Sequence, residues 1–188
     1  MFIFLQLLIG WLYGHFFEYV AHRWVFHNRK YFPKAFKNHY SQHHARSRRG
    51  VMVDISAYKK ASFTDFEFRA LALGILLHSP IAFWFPYFFL AVIYSAIAYY
   101  YIHKRAHKDY TWGRKYLPWH YDHHMGKKSN MNWAVRLPIF DYLFRTREVY
   151  KGKMQEVMRY RNFSLTGQYA MYPHRRKKRA KVLKNNIT

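Results

Sequence analysis

The chain of 188 residues contains no cysteine. Disulfide bonds, thiolate metal ligands and thiol nucleophiles are therefore excluded, and histidine has to carry any metal chemistry. Acidic residues are also scarce, since only 9 Asp and Glu stand against 32 Lys and Arg. Combined with a hydrophobic fraction of 51%, this imbalance is typical of a membrane protein with strongly basic loops rather than of a soluble globule.

The length is that of one domain, and no stretch has the composition of a flexible interdomain linker. We predict one membrane domain over residues 1–172 and a basic tail over residues 173–188. The net charge of +23 and the sequence HRRKKRAKVLK would also suit a nucleic-acid arm, but no recognised nucleic-acid-binding motif is present. Basic loops beside membrane segments follow from membrane insertion and from attraction to anionic lipid headgroups. No nucleic-acid partner is therefore expected.

Two apolar blocks predict the membrane segments. Residues 2–21 are about as long as a bilayer-spanning helix and lack the basic leader and small-residue cleavage site of a signal peptide, so we predict a retained anchor. Residues 66–102 are interrupted by the sequence HSP and by Pro86, which predicts two helices joined by a tight turn. The expected fold class is an all-α integral membrane protein with about three to four transmembrane or membrane-embedded helices.

The charges around the second block predict the orientation in the membrane. The turn of the hairpin contains no Lys or Arg, whereas the segments on either side are densely basic. By the positive-inside rule the turn lies outside and its flanks lie in the cytoplasm. We therefore predict a multi-pass protein whose histidine-rich regions form a helical cap on the cytoplasmic side.

Ten of the thirteen histidines lie in four short clusters, EYVAHRWVFH, HYSQHH, HKRAH and HYDHH. A neutral imidazole is a good ligand for iron, copper or zinc, so the clusters predict a metal site. One zinc ion is satisfied by three or four protein ligands, and ten imidazoles therefore indicate two metals. The candidate ligands are His22, His27, His39, His43, His44, His103, His107, His120, His123 and His124. We expect His15, His78 and His174 to be structural.

The spacing within the clusters also favours shared sites. In HKRAH and HYDHH the histidines are three or four residues apart, which places side chains on a common helix face. In HYSQHH, His39 and His43 should lie side by side, with His44 rotated by about 100° from His43. Such a cluster can supply two metals at once.

Three polar residues are candidates for supporting the metal site from outside. Glu18 lies four residues before His22, so its carboxylate would share a helix face with that imidazole and orient it. Asp122 stands inside HYDHH, and Asn132 follows it. Asn132 is either a ligand, a supporting donor or an ordinary turn residue.

The four clusters in this order resemble the membrane fatty acid hydroxylase and sterol desaturase superfamily. EYVAHRWVFH is similar to the first histidine box of that family, and HKRAH is similar to its third. KYLPWHYDHHMGKKSNMNWAVRLPIFDYLFRT is similar to the fourth box with its following Asn and the closing Asp/Phe/Thr signature. HYSQHH is one residue longer than the usual second box, and Arg145 stands where a small residue usually precedes the closing Thr146.

The resemblance implies a non-haem di-iron centre held by the ten clustered histidines, which activates dioxygen and attacks an unactivated C–H bond of a lipid. Imidazoles alone could also hold copper, and zinc could occupy the sites as a substitute, so only the resemblance favours iron. The haem domain that is fused to some relatives is not in this sequence. We therefore expect a separate electron-donor protein, either a b-type cytochrome or a ferredoxin-like protein.

The expected function is hydroxylation of a membrane lipid, most simply a fatty acyl chain, with dioxygen and an external electron donor. A lipid or sterol desaturase is the first alternative, because both reactions begin with abstraction of a hydrogen. A carotenoid hydroxylase is the second, since those enzymes resemble this chain in size and boxes. The third is a catalytically inactive membrane protein that keeps the metal fold.

Overall fold

The computed structural model describes residues 2–150, and all the regular elements in that range are helical. The α-helices are α1 (Phe2–Val20), α2 (Pro33–Phe36), α3 (Ala45–Arg49), α4 (Phe66–His78), α5 (Pro86–Lys108), α6 (Tyr110–Tyr116), α7 (Pro118–Met125) and α8 (Ile139–Leu143). Two π-helical segments, Ala21–Phe26 and Lys37–His44, and two 3₁₀ turns, Ile55–Tyr58 and Ser79–Phe83, lie between them. The predicted all-helical class is confirmed for this range. The predicted tail and the last part of the predicted domain lie outside it.

The second apolar block forms the predicted helical hairpin. The carboxylate of Asp65 caps α4 by accepting a hydrogen bond from the Glu67 amide at 3.0 Å. The Ser79–Phe83 turn follows α4, and Pro86 then occupies the first turn of α5, where its missing N–H donor costs nothing. The positions of the proline residues therefore set the two ends of the turn.

Helices α1 and α5 pack closely because α1 carries two glycines on the shared face. A Cβ atom at Gly10 would lie 2.7 Å from the Phe88 carbonyl oxygen, and one at Gly14 would lie 2.2 Å from Ser95 Oγ. Neither approach is possible for a residue with a side chain. Helix α5 continues beyond these two glycine contacts, and its C-terminal half carries the HKRAH cluster beside the end of α1.

Two helical stretches, Phe2–Phe26 and Phe66–Phe83, are long and apolar enough to cross a membrane. No residue of the second stretch is buried by the rest of the described chain. The early side chains of α1 are also exposed, with Phe2 and Phe4 at 64% and 70%. Large apolar surfaces of this kind are stable in lipid rather than in water. Two of the predicted membrane segments are therefore candidate membrane-spanning helices by length and apolar composition.

The shorter helices pack with the C-terminal part of α5 around a second, small core. The buried core residues are Met52, Val53, Ala106, Tyr110, Leu117 and Tyr121. Asp109 ends α5 and begins α6, where its carboxylate accepts a hydrogen bond from the Trp112 amide at 3.0 Å. This sharp change of direction returns the chain across α5, so that α7 presents HYDHH to the histidines of the other clusters.

Candidate metal centre

Nine of the ten predicted ligands form two groups, and within each group the nitrogen atoms lie within 4.8 Å of one another. Group one consists of His22, His27, His39, His44 and His123. Group two consists of His43, His103, His107 and His124. The tenth, His120, lies beside group two, with its Nε2 atom 3.1 Å from that of His107. Each group could hold a metal ion.

The two π-helical segments explain how group one is assembled. His22 and His27 are five residues apart, as are His39 and His44. In an α-helix that spacing would turn the two side chains about 140° away from each other. The wider turn of a π-helix, with its i to i+5 hydrogen bonds, brings both members of each pair to the same side. Single turns of π-helix are frequent at functional sites.

HYSQHH contributes to both groups. His39 and His43 are neighbours, as their four-residue spacing predicts, with ring centroids 5.2 Å apart. They nevertheless belong to different groups, because His39 joins His44 in group one and His43 joins group two. The stacked rings of His44 and His124, with centroids 4.2 Å apart and planes inclined by 30°, connect one group to the other.

Backbone carbonyl oxygens fix the tautomer of three histidines. In each case the Nδ1 atom donates to a carbonyl outside the helix that carries the histidine. The three pairs are His22 with Trp133 at 2.5 Å, His107 with Met52 at 2.7 Å and His123 with Met131 at 2.7 Å. Since Nδ1 carries the hydrogen, Nε2 of each ring presents a bare lone pair.

Carboxylates fix the tautomer of two more histidines, both in group two. His43 Nδ1 donates to Asp54 Oδ2 at 2.8 Å, and His103 Nδ1 donates to Glu67 Oε1. Arg46 donates to the other oxygen of Asp54 at 2.8 Å. Although burial would raise it, these two hydrogen bonds hold the pKa of Asp54 well below its usual value. Asp54 is therefore an anion next to the site.

The Nε2 atoms of group two are poorly paired without a cation. His103 and His107 both donate through Nδ1, yet their Nε2 atoms lie 3.2 Å apart, so that two lone pairs face each other. The Nε2 atoms of His43 and His124 are buried and have no hydrogen-bond partner among the described residues. A divalent metal ion would satisfy all four nitrogens. The donor set of group two therefore fits a transition metal.

Burial keeps the imidazoles neutral, which is the form that binds a metal. Burial, together with the nearby His43 and Arg48, lowers the pKa of His27 to about 2 and that of His123 to about 3. Burial also lowers the pKa of His39, His44 and His124 well below the ordinary value. These five histidines are therefore neutral imidazoles at neutral pH, each with one N–H group and one nitrogen lone pair.

The predicted contact between Glu18 and His22 is wrong. The Glu18 carboxylate instead accepts hydrogen bonds from the Val135 amide at 2.5 Å, the Arg136 amide at 3.0 Å and Arg136 Nε at 2.6 Å. The α-helical four-residue rule fails here because the helix widens into its π-helical segment between the two residues. Glu18 acts on His22 at one remove, by holding the loop that supplies the Trp133 carbonyl.

Asn132 and Asp122 do not face a histidine either. The Asn132 side chain donates through Nδ2 to the Glu148 carbonyl at 2.8 Å. Its Oδ1 atom accepts from the Glu148 backbone N–H at 2.8 Å and from the Arg147 guanidinium at 2.9 Å. Its φ of 60° is the left-handed conformation that Asn tolerates in turns. Asp122 forms an ion pair with Arg147 at 2.8 Å. Both side chains fasten the loop whose carbonyls orient His22 and His123.

The closing DYLFRT sequence fastens the same loop from its other side. Asp141 accepts hydrogen bonds from the Trp133 and Ala134 amides at 2.8 Å and from Thr146 Oγ1 at 2.7 Å. Arg145 adopts a φ of 55°, a conformation that glycine adopts without strain. The signature is therefore a support for the metal centre rather than part of its donor set.

A cavity of about 1290 Å³ lies between α1, α4 and α5, and the ten clustered histidines are not among its lining residues. Ala21, Phe66 and Tyr99 line its end beside the histidines, and the Tyr99 ring centroid lies 5.4 Å from that of His103. At the far end, the Tyr13 hydroxyl is 2.6 Å from His78 Nε2. Most of the lining is apolar. The cavity is larger than the roughly 300–1,000 Å³ of ordinary small-molecule sites and has room for a lipid chain.

Sequence reasoning missed Asp54 and Glu67 as partners of the histidines. Asp54 did carry a signal, because it is the only acid between residues 28 and 64. Glu67 is an acid at the start of an apolar block, which is costly unless it meets a partner. The carbonyl acceptors carry no signal in the side-chain sequence.

A model of the fatty acid hydroxylase family matches residues 7–146 of the chain. The matched region contains all ten clustered histidines and the closing DYLFRT sequence. No curated protein and no solved structure gives a significant match.

Proposed function

The chain belongs to the fatty acid hydroxylase family, and from that membership we propose that it is a multi-pass membrane oxygenase that hydroxylates a fatty acyl chain. The family is membrane-associated and generally catalyses oxidation, and its members typically use two iron ions. The proposal assigns one iron ion to each histidine group, with zinc as a substitute occupant. His120 completes group two as its fifth imidazole.

The observation that carries the proposal is the position of two groups of bare imidazole nitrogens next to an apolar cavity, with Tyr99 between the cavity and His103. Five Nε2 atoms carry no hydrogen, because the Nδ1 atom of the same ring carries it. These atoms belong to two groups that are connected by the stacked rings of His44 and His124. Iron held there would supply the redox chemistry that makes dioxygen an oxidant of an unactivated C–H bond. A purely structural metal site would not require an adjoining cavity of lipid size.

The residues of the chain have defined tasks in this reaction. Trp133, Met131, Met52, Asp54 and Glu67 hold the imidazole tautomers, so that no ring has to reorient when a metal binds. The apolar lining keeps bulk water from the reacting carbon and orients the chain. The overall change inserts one oxygen atom into a C–H bond and reduces the other to water, which consumes two electrons and two protons.

Those electrons require a separate donor protein, and we propose a b-type cytochrome or a ferredoxin-like protein. The 32 basic residues outnumber the 9 acidic residues, and this excess of positive charge supports docking of an acidic partner. The same basic residues support placement of the histidine cap at the cytoplasmic membrane surface, with the 79–85 turn on the opposite side and α5 as a further membrane-embedded helix.

The test is a lipid mass-spectrometry comparison of host membranes that carry the intact chain, His123→Ala, His107→Ala or the exposed control Lys115→Gln at equal expression. We expect a lipid with one added oxygen in the intact and control strains and in neither histidine variant. A lipid that has lost two hydrogens would reassign the chain as a desaturase. Identical lipids in all four strains would contradict an oxygenase function.

A further inference from the structure

The cavity carries positive charge at the end that lies beside the histidines. Three cationic side chains contribute to its lining there, Lys34, Lys37 and Arg69, and all three are exposed at its rim. Arg69 is held in place by a 2.6 Å hydrogen bond to the Phe63 carbonyl, which also lines the cavity. Within residues 2–150, none of the three forms an ion pair with a carboxylate.

The nearby acids are already committed to other partners. Glu18 is the acid in the cavity lining, and its carboxylate is bound to Arg136 at 2.6 Å. Asp65 pairs with Lys104 at 3.0 Å, and Glu67 pairs with His103. The charge of the rim is therefore not compensated by the described protein. Uncompensated cations beside an apolar cavity favour an anionic ligand.

The other end of the cavity is apolar and extends along α4. Arg69 lies near the start of that helix and His78 at its end, nine residues later, which corresponds to about 13 Å. Gly74 lies between them and borders open space, because a Cβ atom there would meet only Phe17, at 3.9 Å. The cavity thus has a cationic end beside the metal groups and a long apolar end away from them.

We propose that this cavity binds a single-chain lipid with an anionic head, a carboxylate or a phosphate, held by Lys34, Lys37 and Arg69. The chain then lies along α4, and its first carbons, not its methyl end, lie beside the histidines. This inference rests on the cavity being the substrate site of the proposed oxygenase, and it adds the class of head group and the direction of binding. A sterol or a carotenoid has no anion to place at the rim.

Ligand binding to the full-length protein in phosphatidylcholine nanodiscs tests the proposal without turnover. A dansyl-labelled fatty carboxylate is the reporter, and the competitors are stearate, a lysophosphatidic acid, methyl stearate and stearyl alcohol. We expect an anionic lipid to displace the reporter at a concentration about tenfold or more below that of the neutral lipids. The two anions separate a carboxylate site from a phosphate site. Equal displacement by stearate and stearyl alcohol would overturn the proposal.

Charge variants locate the effect. Combined replacement of Lys34, Lys37 and Arg69 by Gln should remove the preference for anionic lipids. A matched control replaces three exposed lysines elsewhere by Gln, and it should retain the preference if the effect is local rather than a general attraction to a basic surface. The control lysines are Lys108, Lys115 and Lys127. Equal losses in the two triple variants would contradict a site at the rim.

Gly74→Leu tests whether the chain occupies the cavity. The new side chain should extend into the open space without a backbone clash and weaken stearate binding about tenfold, while octanoate should be affected less. Unchanged stearate binding would place the ligand outside the cavity and overturn the proposal. None of these binding measurements depends on catalysis. A chain that binds the anionic lipid but oxidises no lipid would contradict the oxygenase function alone, so the failure of one proposal can be distinguished from the failure of the other.

Discussion

The Nε2 atoms of His103 and His107 lie 3.2 Å apart, although both rings already donate through Nδ1, one to Glu67 and the other to the Met52 carbonyl. Each Nε2 atom therefore presents a lone pair to the other inside a buried site. Neutral imidazoles gain nothing from such an approach, whereas a shared cation binds both. The arrangement of these two rings therefore fits a shared metal ion better than a direct contact between neutral rings.

Glu67→Gln should weaken metal binding in group two. The amide oxygen can still accept a hydrogen bond from His103, but it lacks the negative charge that increases the basicity of the ring. We expect about a tenfold loss of affinity, and a larger one for Glu67→Ala, measured by competition with a chromophoric chelator. Glu148→Gln is the control, since that carboxylate pairs with the exposed Lys128 at 3.2 Å rather than with a histidine. Unchanged affinity in Glu67→Ala would show that the carboxylate plays no part.

Glu18→Gln should destabilise the fold and affect group one more than group two. The variant leaves Arg136 buried without its counter-charge, and breaking a buried ion pair costs about 3–5 kcal/mol. It also loosens the loop whose Trp133 carbonyl holds His22. Chemical denaturation measures the first effect, and metal content measures the second. If group two lost its metal first, the proposed route through the loop would be wrong.

Arg145→Gly should stabilise the protein by about 0.5–1 kcal/mol. Arg145 is exposed and has a φ of 55°, a conformation that costs a residue with a Cβ atom about 1–2 kcal/mol but is open to glycine. Part of that gain is lost because glycine is more flexible in the unfolded chain. Arg145→Ala is the matched control, since it removes the guanidinium and keeps the Cβ atom. Equal thermal midpoints for the two variants would rule out backbone strain as the cause.

Much of the fold follows from the sequence because proline, apolar length and helical spacing act locally. The hairpin ends where the HSP sequence and Pro86 predict, and the HKRAH histidines meet as their one-turn spacing requires. The ten histidines could be identified as a candidate metal site from their clustering and spacing in the sequence. Local rules were therefore sufficient wherever the chain stays α-helical.

The details of the site were less predictable because they depend on long-range contacts. The π-helical turns at His22 and His39 are set by tertiary packing, so the α-helical period misassigned Glu18 and did not pair His39 with His44. The acceptor for His22 is a backbone carbonyl 111 residues away along the chain. The acceptor for His123 is a backbone carbonyl eight residues away, in a loop without regular structure. A carbonyl is present at every position, so its role cannot be recognised from residue type.

The most direct measurement is the metal content per chain of the purified full-length protein after growth with added iron. We expect two metal ions per intact chain, about one in His39→Ala, which damages group one, and about one in His107→Ala, which damages group two. The double variant should hold none, and the exposed control Lys115→Gln should hold two. One metal ion per intact chain, lost in either single variant, would contradict a centre built from two histidine groups.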